Sequence, residues 1–572
     1  MTTPTAIRRR APGPGASVRG GPRRSLLGPA LWTLAGLLPL AFLAIFFAWP
    51  AATLIRRGFV IDGAPSLDGL TAIFGQARTW RIVGTSLLLA GLGTAGSLLL
   101  GIPGAYLLYR TRFPGRALLR ALVTVPFVLP TVVVGVAFIA LLGPNGPLGF
   151  LGLAESLPGI VLALVFFNYA VVVRTVGGLW ARLDPRATQA ARALGASPWR
   201  AARTVTLPAL MPAIASAAAL VFLFCASAFG IVMVMGGVRY STVETEIWYQ
   251  TTQLLDLQAA SALSIAQLAI VSACLVATSW TQGRQERALR LQGDGAGEAA
   301  WRWRRDWAPT LVTAGTVGGI LLAPMLTLLV RSLRGRDGWS MEHYAALRTT
   351  LGSALSVPVW EAARNSLYVA VQAAGIALVL GTLLALVVSR RPRSPAGQRG
   401  LRVLDAVVML PLGVSAVTVG FGFLITLNRP PLDLRSSMIL IPIAQALVAL
   451  PLVVRALIPV LRAIDPRQRE AAATLGAGPG RVLATVDGPF LIRGLGLAAG
   501  FALATSLGEF GATSFLSRPD RPTLPVVIYR LIGRPGEEHF GAALAASVVL
   551  AVVTASVMLL AERARPAEAS VL

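Results

Sequence analysis

Lysine is absent from this chain of 572 residues, and all 51 of its basic residues are arginine. A phosphate-binding loop of the Walker A type requires a lysine, and so does Schiff-base chemistry. The chain therefore cannot hydrolyse ATP through a Walker A loop, and it cannot form a Schiff base with a substrate.

Cysteine and histidine are nearly as scarce, with two of each. Cys225 and Cys274 lie in long apolar runs, which predicts small packing residues and no disulfide framework. His343 and His539 lie in predicted external segments. We therefore expect no metal site built from protein ligands and no cofactor bound by this chain.

Apolar residues are abundant: 55% of the chain is hydrophobic and the mean hydropathy is +0.69. About 20 consecutive apolar residues suffice to cross a bilayer. The pattern predicts an all-α integral membrane protein with about 12 transmembrane helices, six in each half. The predicted spans are 30–54, 82–108, 121–142, 158–177, 210–235 and 259–280, then 308–330, 366–389, 403–427, 437–460, 492–509 and 541–561.

The net charge of +26 comes from arginines that cluster beside these spans. No soluble module with a basic patch is present, so we expect the lipid bilayer and not nucleic acid as the partner of this charge. Arginines precede the first span and fill the loops after the second and the eighth. The positive-inside rule then predicts that both termini of this multi-pass membrane protein lie in the cytoplasm.

Two polar segments between predicted spans repeat each other at an offset of 281 positions. Residues 183–210 and 464–491 align without a gap, and 14 of 28 positions are identical. At the same offset, Phe229-Gly230 matches Phe510-Gly511, and Thr242 matches Thr523. This duplication predicts two similar halves in the same orientation, with a pathway between them along an axis normal to the membrane.

The repeat also sets the expected domain organisation. We predict a disordered basic tail (1–25), a first repeat (26–282), a cytoplasmic linker (283–307), a second repeat (308–562) and a short cytoplasmic tail (563–572).

Each duplicated segment carries helix signals on either side of a glycine. Asp184-Pro185 is a good helix start, and Gly195 suits a left-handed stop. Ser197-Pro198 predicts a second short helix that runs until Pro208. The other copy has the same signals from Asp465-Pro466 to Pro489. The expected structure is a helix–turn–helix hairpin on the cytoplasmic face, made twice.

These segments resemble the EAA loop of the permease subunits of binding-protein-dependent ABC importers. The residues that carry the resemblance are Gln189, Ala190, Ala191, Gly195 and Pro208 in the first copy, and Glu470, Ala471, Ala472, Gly476 and Pro489 in the second. The first copy has glutamine in place of the family's glutamate, and the second has Gly488 in place of its leucine.

The resemblance implies the type I importer permease fold, with both permease halves fused in one chain, and a place in the plasma (cytoplasmic) membrane of a bacterium. In that family the loop is a coupling helix that docks on a separate ATPase. We therefore expect a non-enzymatic pore subunit with two copies of an ABC ATPase subunit, which would bind the ATP. An extracytoplasmic solute-binding protein would deliver the solute to the outer loops, around 239–256 and 517–540.

Within this family, the chain looks most like the permeases for thiamine and, less fully, like those for ferric iron. The segments that carry this likeness are Val165–Asn168, Gly236-Gly237, Thr242–Ile247, Leu507–Gly511, Thr523–Pro525, Ile528-Tyr529 and Ile532-Gly533. Thiamine or its phosphates are expected first, with ferric iron as the alternative.

Three polar residues near predicted membrane depth are candidates for the substrate pathway. Glu509 ends the eleventh span and either attracts a cationic substrate or caps the chain locally, because a carboxylate at this depth needs a cavity or a partner. Asn168 and Tyr169 in the fourth span either line the pathway or make polar contacts between helices.

Three other classes of protein compete with the importer hypothesis. A secondary transporter would bury ion-coupling acids or histidines and would not need the repeated loop. A membrane enzyme would need a catalytic constellation, which the sequence does not show. A regulatory scaffold is the third rival. Co-purification with an ATP-binding subunit separates the importer from all three.

Overall fold

The computed structural model describes residues 27–61, 63–237, 239–290, 298–335, 338–352, 354–389, 395–430, 432–435 and 437–563. Within these residues the chain is almost entirely helical, which confirms the all-α prediction. The predicted tails lie outside the described residues, apart from Arg563, and so do residues 291–297 of the predicted linker. The predicted domain boundaries stay a prediction.

Long apolar segments fold as helices because a helix satisfies its backbone hydrogen bonds internally, as hydrocarbon surroundings require. The helices of the first half are α1 Leu27–Leu43, α2 Trp49–Phe59, α3 Asp68–Phe74, α4 Ala77–Arg110, α5 Arg116–Val128, α6 Thr131–Leu142, α7 Leu157–Arg182, α8 Pro185–Ala193, α9 Pro198–Ala201, α10 Leu207–Ala226, α11 Gly230–Met235, α12 Val243–Thr252 and α13 Leu257–Arg290.

The second half repeats this order. Its helices are α14 Trp303–Gly315, α15 Ala323–Ser332, α16 Glu342–Ala346, α17 Val359–Val388, α18 Pro395–Met409, α19 Ala416–Thr426, α20 Leu440–Arg462, α21 Pro466–Thr474, α22 Pro479–Val482, α23 Gly488–Gly508, α24 Thr513–Leu516, α25 Leu524–Ile532 and α26 Glu537–Arg563. Four π-helical turns (Ala44–Ala48, Ala202–Thr206, Thr316–Leu322 and Leu483–Asp487) join α1 to α2, α9 to α10, α14 to α15 and α22 to α23.

Ten of these helices, counted across the π-helical turns, are long and apolar enough to cross a membrane. They are Ala35–Phe59, Ala77–Arg110, Leu157–Arg182, Pro198–Ala226, Leu257–Thr278, Trp303–Ser332, Val359–Val388, Leu440–Arg462, Pro479–Gly508 and Glu537–Ala561. The pair α5 and α6, bent by 105°, makes an eleventh if it is counted as one span. The chain is therefore a multi-pass membrane protein.

The predicted third and ninth spans are not continuous helices. The third is divided between α5 and α6, where Pro130 cannot donate a backbone hydrogen bond to continue the helix. The ninth is divided between α18 and α19 by a 3-10 turn at Leu410–Gly413, which contains Pro411. The predicted fifth span also ends early, at Ala226, and α11 follows it as a separate short helix.

Each main helix packing in the first half recurs in the second. Helix α4 packs on α7 as α17 packs on α20, α10 packs on α13 as α23 packs on α26, and α12 packs on α4 as α25 packs on α17. The two halves interlock through their first spans. Helices α1 and α2 lie against α17 and α19 of the second half, whereas α14 and α15 lie against α4 and α6 of the first.

The strands are short and lie in the connections. Three antiparallel hairpins pair β1 Val60–Ile61 with β2 Ala64–Pro65, β5 Arg334–Gly335 with β6 Gly338–Trp339, and β7 Asn428–Arg429 with β8 Leu432–Asp433. The parallel pair β3 Thr111–Arg112 and β4 Ala299–Ala300 attaches the end of the predicted linker to the end of α4. Glu298 reinforces it with ion pairs to Arg112 (2.7 Å) and Arg116 (3.0 Å).

Candidate functional site: the duplicated loops and the axis between the halves

The duplicated segments, loop A (184–208) and loop B (465–489), begin with the same helix cap. The carboxylate oxygen Oδ1 of Asp184 accepts a hydrogen bond from the backbone N–H of Arg186 at 2.9 Å, and Asp465 accepts one from Arg467 at the same distance. Both loops therefore start as the sequence predicts, with an N-cap aspartate and a proline in the first turn.

The first helix of each loop ends in a left-handed glycine. Gly195 has φ +88° and Gly476 has φ +85°, a conformation that residues with a side chain adopt at a cost. The following residue closes the turn, because the N–H of Ala196 donates to the carbonyl of Ala191 and that of Ala477 to Ala472. The predicted glycine turn is present in both loops.

The second helix of each loop does not stop at the proline, contrary to the prediction from Pro208. It passes through a π-helical turn and continues into the transmembrane helix without a break, from Pro198 to Ala226 and from Pro479 to Gly508. Prolines can be accommodated because the π-helical turn immediately before each of them changes the hydrogen-bond register. Each loop is thus rigidly continuous with a transmembrane helix.

A side-chain pair fastens α8 and α21 to these same transmembrane helices, and the pair differs between the loops. In loop A, the hydroxyls of Thr188 and Thr206 lie 3.3 Å apart. The equivalent residues in loop B are Arg469 and Asp487, and Nε of the arginine lies 2.7 Å from Oδ1 of the aspartate. Asp487 is fully buried, so loop B is fastened by a buried ion pair where loop A has a neutral contact.

Replacement of Arg469 tests this fastening. In Arg469→Ala, the buried Asp487 loses its ion pair with Arg469, and removal of one partner of a buried ion pair costs about 3–5 kcal/mol. We expect a lower unfolding temperature of the purified protein and weaker uptake. The double variant Arg469→Thr/Asp487→Thr copies loop A and should stay close to the unmodified protein in both measurements. Equal losses in the two variants would contradict the assignment.

The residues that resemble the EAA loop lie at the surface. Gln189, Ala190, Glu470 and Ala471 are exposed, Ala191 and Ala472 are half-buried, and Gly195, Gly476, Pro208 and Pro489 are exposed as well. Their assigned role in coupling stays a prediction, but the structure leaves this surface accessible on the described chain.

Two further residues of this surface were missed in the sequence. Leu194 is 89% exposed and Leu475 is 88% exposed, and each directly precedes the left-handed glycine at equivalent positions. An exposed leucine at the same place in both loops makes each leucine a candidate contact for a docking partner. The sequence could have indicated these two residues, because a leucine before the glycine recurs at the 281-residue offset.

The axis between the halves is marked by aromatic rings that contact each other. Phe229 and Phe510 occupy equivalent positions, and their rings stack at 5.2 Å between centroids. Trp248 and Tyr529 are also equivalent, and their rings meet edge to face at 6.0 Å. Equivalent residues that touch each other must lie beside the two-fold axis that relates the halves.

These four residues form one group, which we call the axial aromatic cluster. The ring of Phe510 also contacts that of Tyr529, with 5.4 Å between centroids. Phe229 is 5% and Phe510 is 3% exposed. In this conformation the cluster therefore closes the space between the halves along the axis.

A glycine follows each of the two phenylalanines and allows the cluster to pack closely against the first residues of α6 and α19. A Cβ on Gly230 would overlap Oγ1 of Thr131, the first residue of α6. One on Gly511 would lie 2.9 Å from the Cβ of Ala416, the first residue of α19. The helix breaks that the sequence did not predict therefore place the starts of α6 and α19 beside the cluster.

The helices that carry Trp248 and Tyr529 are fixed in the bundle by equivalent hydrogen bonds. The N–H of Val243 in α12 donates to Oγ of Ser86 at 2.9 Å, and the N–H of Leu524 in α25 donates to Oγ of Ser366 at 2.7 Å. Ser86 lies nine residues into α4, or about 14 Å along the helix from its start. The opposite end of α4 lies near loop A, where Arg110 donates to the carbonyl of Leu183. The cluster thus lies inside the bundle, away from the loops.

Glu509, predicted as a pathway residue or a local cap, is placed as a local cap. It is 6% exposed, and its carboxylate accepts hydrogen bonds from the N–H groups of Ala512 (2.7 Å) and Thr513 (3.0 Å) and from the Thr513 hydroxyl. These bonds satisfy the backbone N–H groups in the turn between α23 and α24. Its role toward a substrate stays a prediction.

Asn168 and Tyr169 are buried in helix packing of the first half. The Asn168 amide donates to the carbonyl of Leu164 (2.9 Å) and lies 3.3 Å from Sγ of Cys225. Tyr169 is fully buried beside Gly104 of α4. Neither residue belongs to the axial aromatic cluster, and a role in lining the pathway stays a prediction.

A different carboxylate lies near the axis, in the segment Thr242–Ile247, and the sequence analysis did not single it out. Glu244 of α12 is fully buried and accepts hydrogen bonds from Nε2 of Gln267 at 2.6 Å and from the hydroxyl of Ser415. Ser415 caps α19 of the second half, so this contact crosses between the halves. Only the tertiary structure brings these three residues together.

Parts of this chain are similar in sequence to known proteins. Residues 97–291 match the family described as "Binding-protein-dependent transport system inner membrane component". The sulfate transport system permease protein CysT of Escherichia coli (strain K12) is 34% identical over 197 residues, which cover 33% of this chain and 71% of that protein. The chain belongs to this permease family.

Other members match the permease over nearly its whole length. The thiamine transport system permease protein ThiP of Brucella abortus (strain 2308) is 27% identical over 573 residues, covering 95% of this chain and 97% of that protein. ThiP of Escherichia coli (strain K12) is 28% identical over 488 residues, covering 82% and 86%. The chain is thus a fused ABC importer permease close to the thiamine group, as its sequence motifs predicted.

Proposed function

We propose that this permease imports thiamine or its phosphates, driven by ATP hydrolysis on two separate ATPase subunits and supplied by an extracytoplasmic binding protein. The observation that carries the substrate is the match to ThiP over 95% of this chain and 97% of the relative. The match to the sulfate permease reaches only 33% of this chain. Ferric iron remains the alternative substrate.

The coupling surface supports an ATPase at each loop. Loops A and B share a cap, a glycine turn and an exposed leucine, and both continue directly into a transmembrane helix. A force applied by an ATPase to either loop would therefore move a whole helix. In this arrangement both loops and both chain ends face the cytoplasm, and the chain itself performs no ATP hydrolysis.

Measurement of solute uptake in cells with and without this gene tests the substrate. We expect loss of labelled thiamine uptake in the deletion strain, with unchanged uptake of labelled ferric iron and sulfate. If uptake of iron alone or of sulfate alone is lost, that solute would replace thiamine as the proposed substrate. Unchanged uptake of all three would contradict the thiamine proposal.

The exposed leucines test the coupling surface. In Leu194→Glu/Leu475→Glu, a charge replaces an apolar contact at both loops, and we expect the ATPase subunit no longer to co-purify with the permease. Leu194→Met/Leu475→Met keeps the apolar volume and should retain the ATPase. Co-purification of the ATPase with the glutamate variant at the unmodified level would contradict docking at these residues.

A further inference from the structure

Glu244 has no acidic counterpart in the other half, although its surroundings are duplicated. Helix α12 packs on α19 as α25 packs on α6, and the anchoring hydrogen bonds of Val243 and Leu524 fix the alignment of α12 with α25. By this alignment, Pro525 takes the place of Glu244. Pro130, which precedes α6, takes the place of its partner Ser415.

The contact of α12 with α19 can be compared with the equivalent contact of α25 with α6, which has the same packing but no carboxylate. At the equivalent contact of α25 with α6, Pro525 and Pro130 hold the two places, with no polar group in their side chains. A buried carboxylate carries a cost, either as a charge that needs compensation or as a group that must keep a proton. The packing of α12 on α19 does not require Glu244, so a different requirement accounts for it.

The known partners of Glu244 supply hydrogen bonds but no positive charge. They are the hydroxyl of Ser415 and the amide of Gln267. In the described part of the chain, no arginine forms an ion pair with it. Glu246, two residues further along α12, is different, because Nη2 of Arg78 lies 3.1 Å from its carboxylate.

Glu244 lies one helical turn before Trp248, so both side chains lie on the same face of α12. The indole Nε1 of Trp248 is buried and finds no hydrogen-bond acceptor among the described residues. The region around the axis therefore combines a carboxylate without a cation, an indole N–H without an acceptor, and the faces of four aromatic rings.

We propose that Glu244 and the axial aromatic cluster form a contact site for a planar, positively charged heteroaromatic solute as it passes between the halves. The rings stack on the solute and attract its cationic ring, and the carboxylate compensates its charge. A solute that follows the axis must pass this cluster, which is closed in the present conformation. The inference rests on the proposed function and adds to it the residues that hold the solute.

The test uses the full permease, assembled with its ATPase and binding protein in proteoliposomes, and radiolabelled thiamine as the probe. In Glu244→Gln, we expect the maximal uptake rate to fall about tenfold, as for the loss of one charged contact, while ATP hydrolysis stays near the unmodified rate. Thiamine transported per ATP therefore falls. A purely structural role would lower both rates together.

Two matched variants isolate the charge. Ser415→Ala removes the hydrogen bond to the carboxylate but keeps the carboxylate, and it should transport within about threefold of the unmodified permease. Glu244→Asp keeps the charge and should recover part of the uptake that Glu244→Gln loses.

Three outcomes would overturn the inference: normal uptake by Glu244→Gln, equal loss of uptake in Ser415→Ala and Glu244→Gln, or failure of Glu244→Gln to assemble. The last would show that the fold needs the carboxylate after all. Absence of thiamine uptake by the unmodified complex would instead contradict the proposed function, so the two failures are distinguishable.

Discussion

We expect uptake to fall to background when Gly195 and Gly476 are both replaced by valine, while the amount of inserted permease stays the same. Both glycines have a left-handed backbone, which costs a residue with a Cβ about 1–2 kcal/mol and a β-branched residue more. A Cβ would meet nothing within 4 Å at either position, so the effect arises from the backbone and not from a clash.

The consequence of the valine substitutions is local. The backbone leaves the left-handed region, the turn opens, and the exposed leucine before each glycine changes its direction. An ATPase that docks on that leucine then loses its connection to the transmembrane helix. Labelled thiamine uptake and the amount of permease in isolated membranes are the two measurements.

Two controls lie in the same loops. Asparagine tolerates a left-handed backbone, so Gly195→Asn/Gly476→Asn should keep most of the uptake. Gly478 and Gly480 have open space around them and no positive φ, so their replacement by alanine should have little effect. Normal uptake by the valine variant would contradict the coupling role of both loops.

We expect a reversible cross-link between positions 229 and 510 to stop transport completely. The rings of Phe229 and Phe510 stack across the axis at 5.2 Å, so cysteines at these positions lie within reach of a short bifunctional thiol reagent. The halves must separate at this point if a solute passes along the axis. We therefore expect complete loss of thiamine uptake after cross-linking of Phe229→Cys/Phe510→Cys, and recovery after reduction.

The low cysteine content makes this experiment clean. Cys225 and Cys274 are the native cysteines, and replacement of both by alanine gives the background. The single variants Phe229→Cys and Phe510→Cys treated with the same reagent are the controls and should keep their uptake. Efficient cross-linking without any loss of uptake would show that the solute does not pass the axial aromatic cluster.

Much of this protein follows from local sequence signals. Apolar runs located the transmembrane helices, because each helix must satisfy its backbone hydrogen bonds within its own segment. The caps at Asp184 and Asp465 and the turns at Gly195 and Gly476 depend on residues within a few positions of each other. The offset of 281 residues was sufficient to predict two halves, and the family followed from the duplicated loops.

The structure departs from the predicted helix ends at prolines, because a proline can either break a helix or be accommodated within it. Pro130 and Pro411 divide predicted spans, whereas Pro208 and Pro489 lie in continuous helices behind π-helical turns. A proline removes one hydrogen bond in each case, and tertiary packing decides whether the helix bends or adjusts its register. Local sequence carries no information on that choice.

Contacts between distant residues were decided by the tertiary structure alone. Sequence reasoning singled out Glu509 as a candidate pathway residue, and this carboxylate caps its own turn. The same reasoning did not single out Glu244, whose hydrogen-bond partners lie 23 and 171 positions away. The duplication predicted that Phe229 and Phe510 are equivalent, but not that their rings touch. By itself the sequence determined the helices, the repeat and the loops, because these depend on local patterns. The axis and its chemistry required the packing of one half against the other, since only that packing brings residues so far apart in the chain into contact.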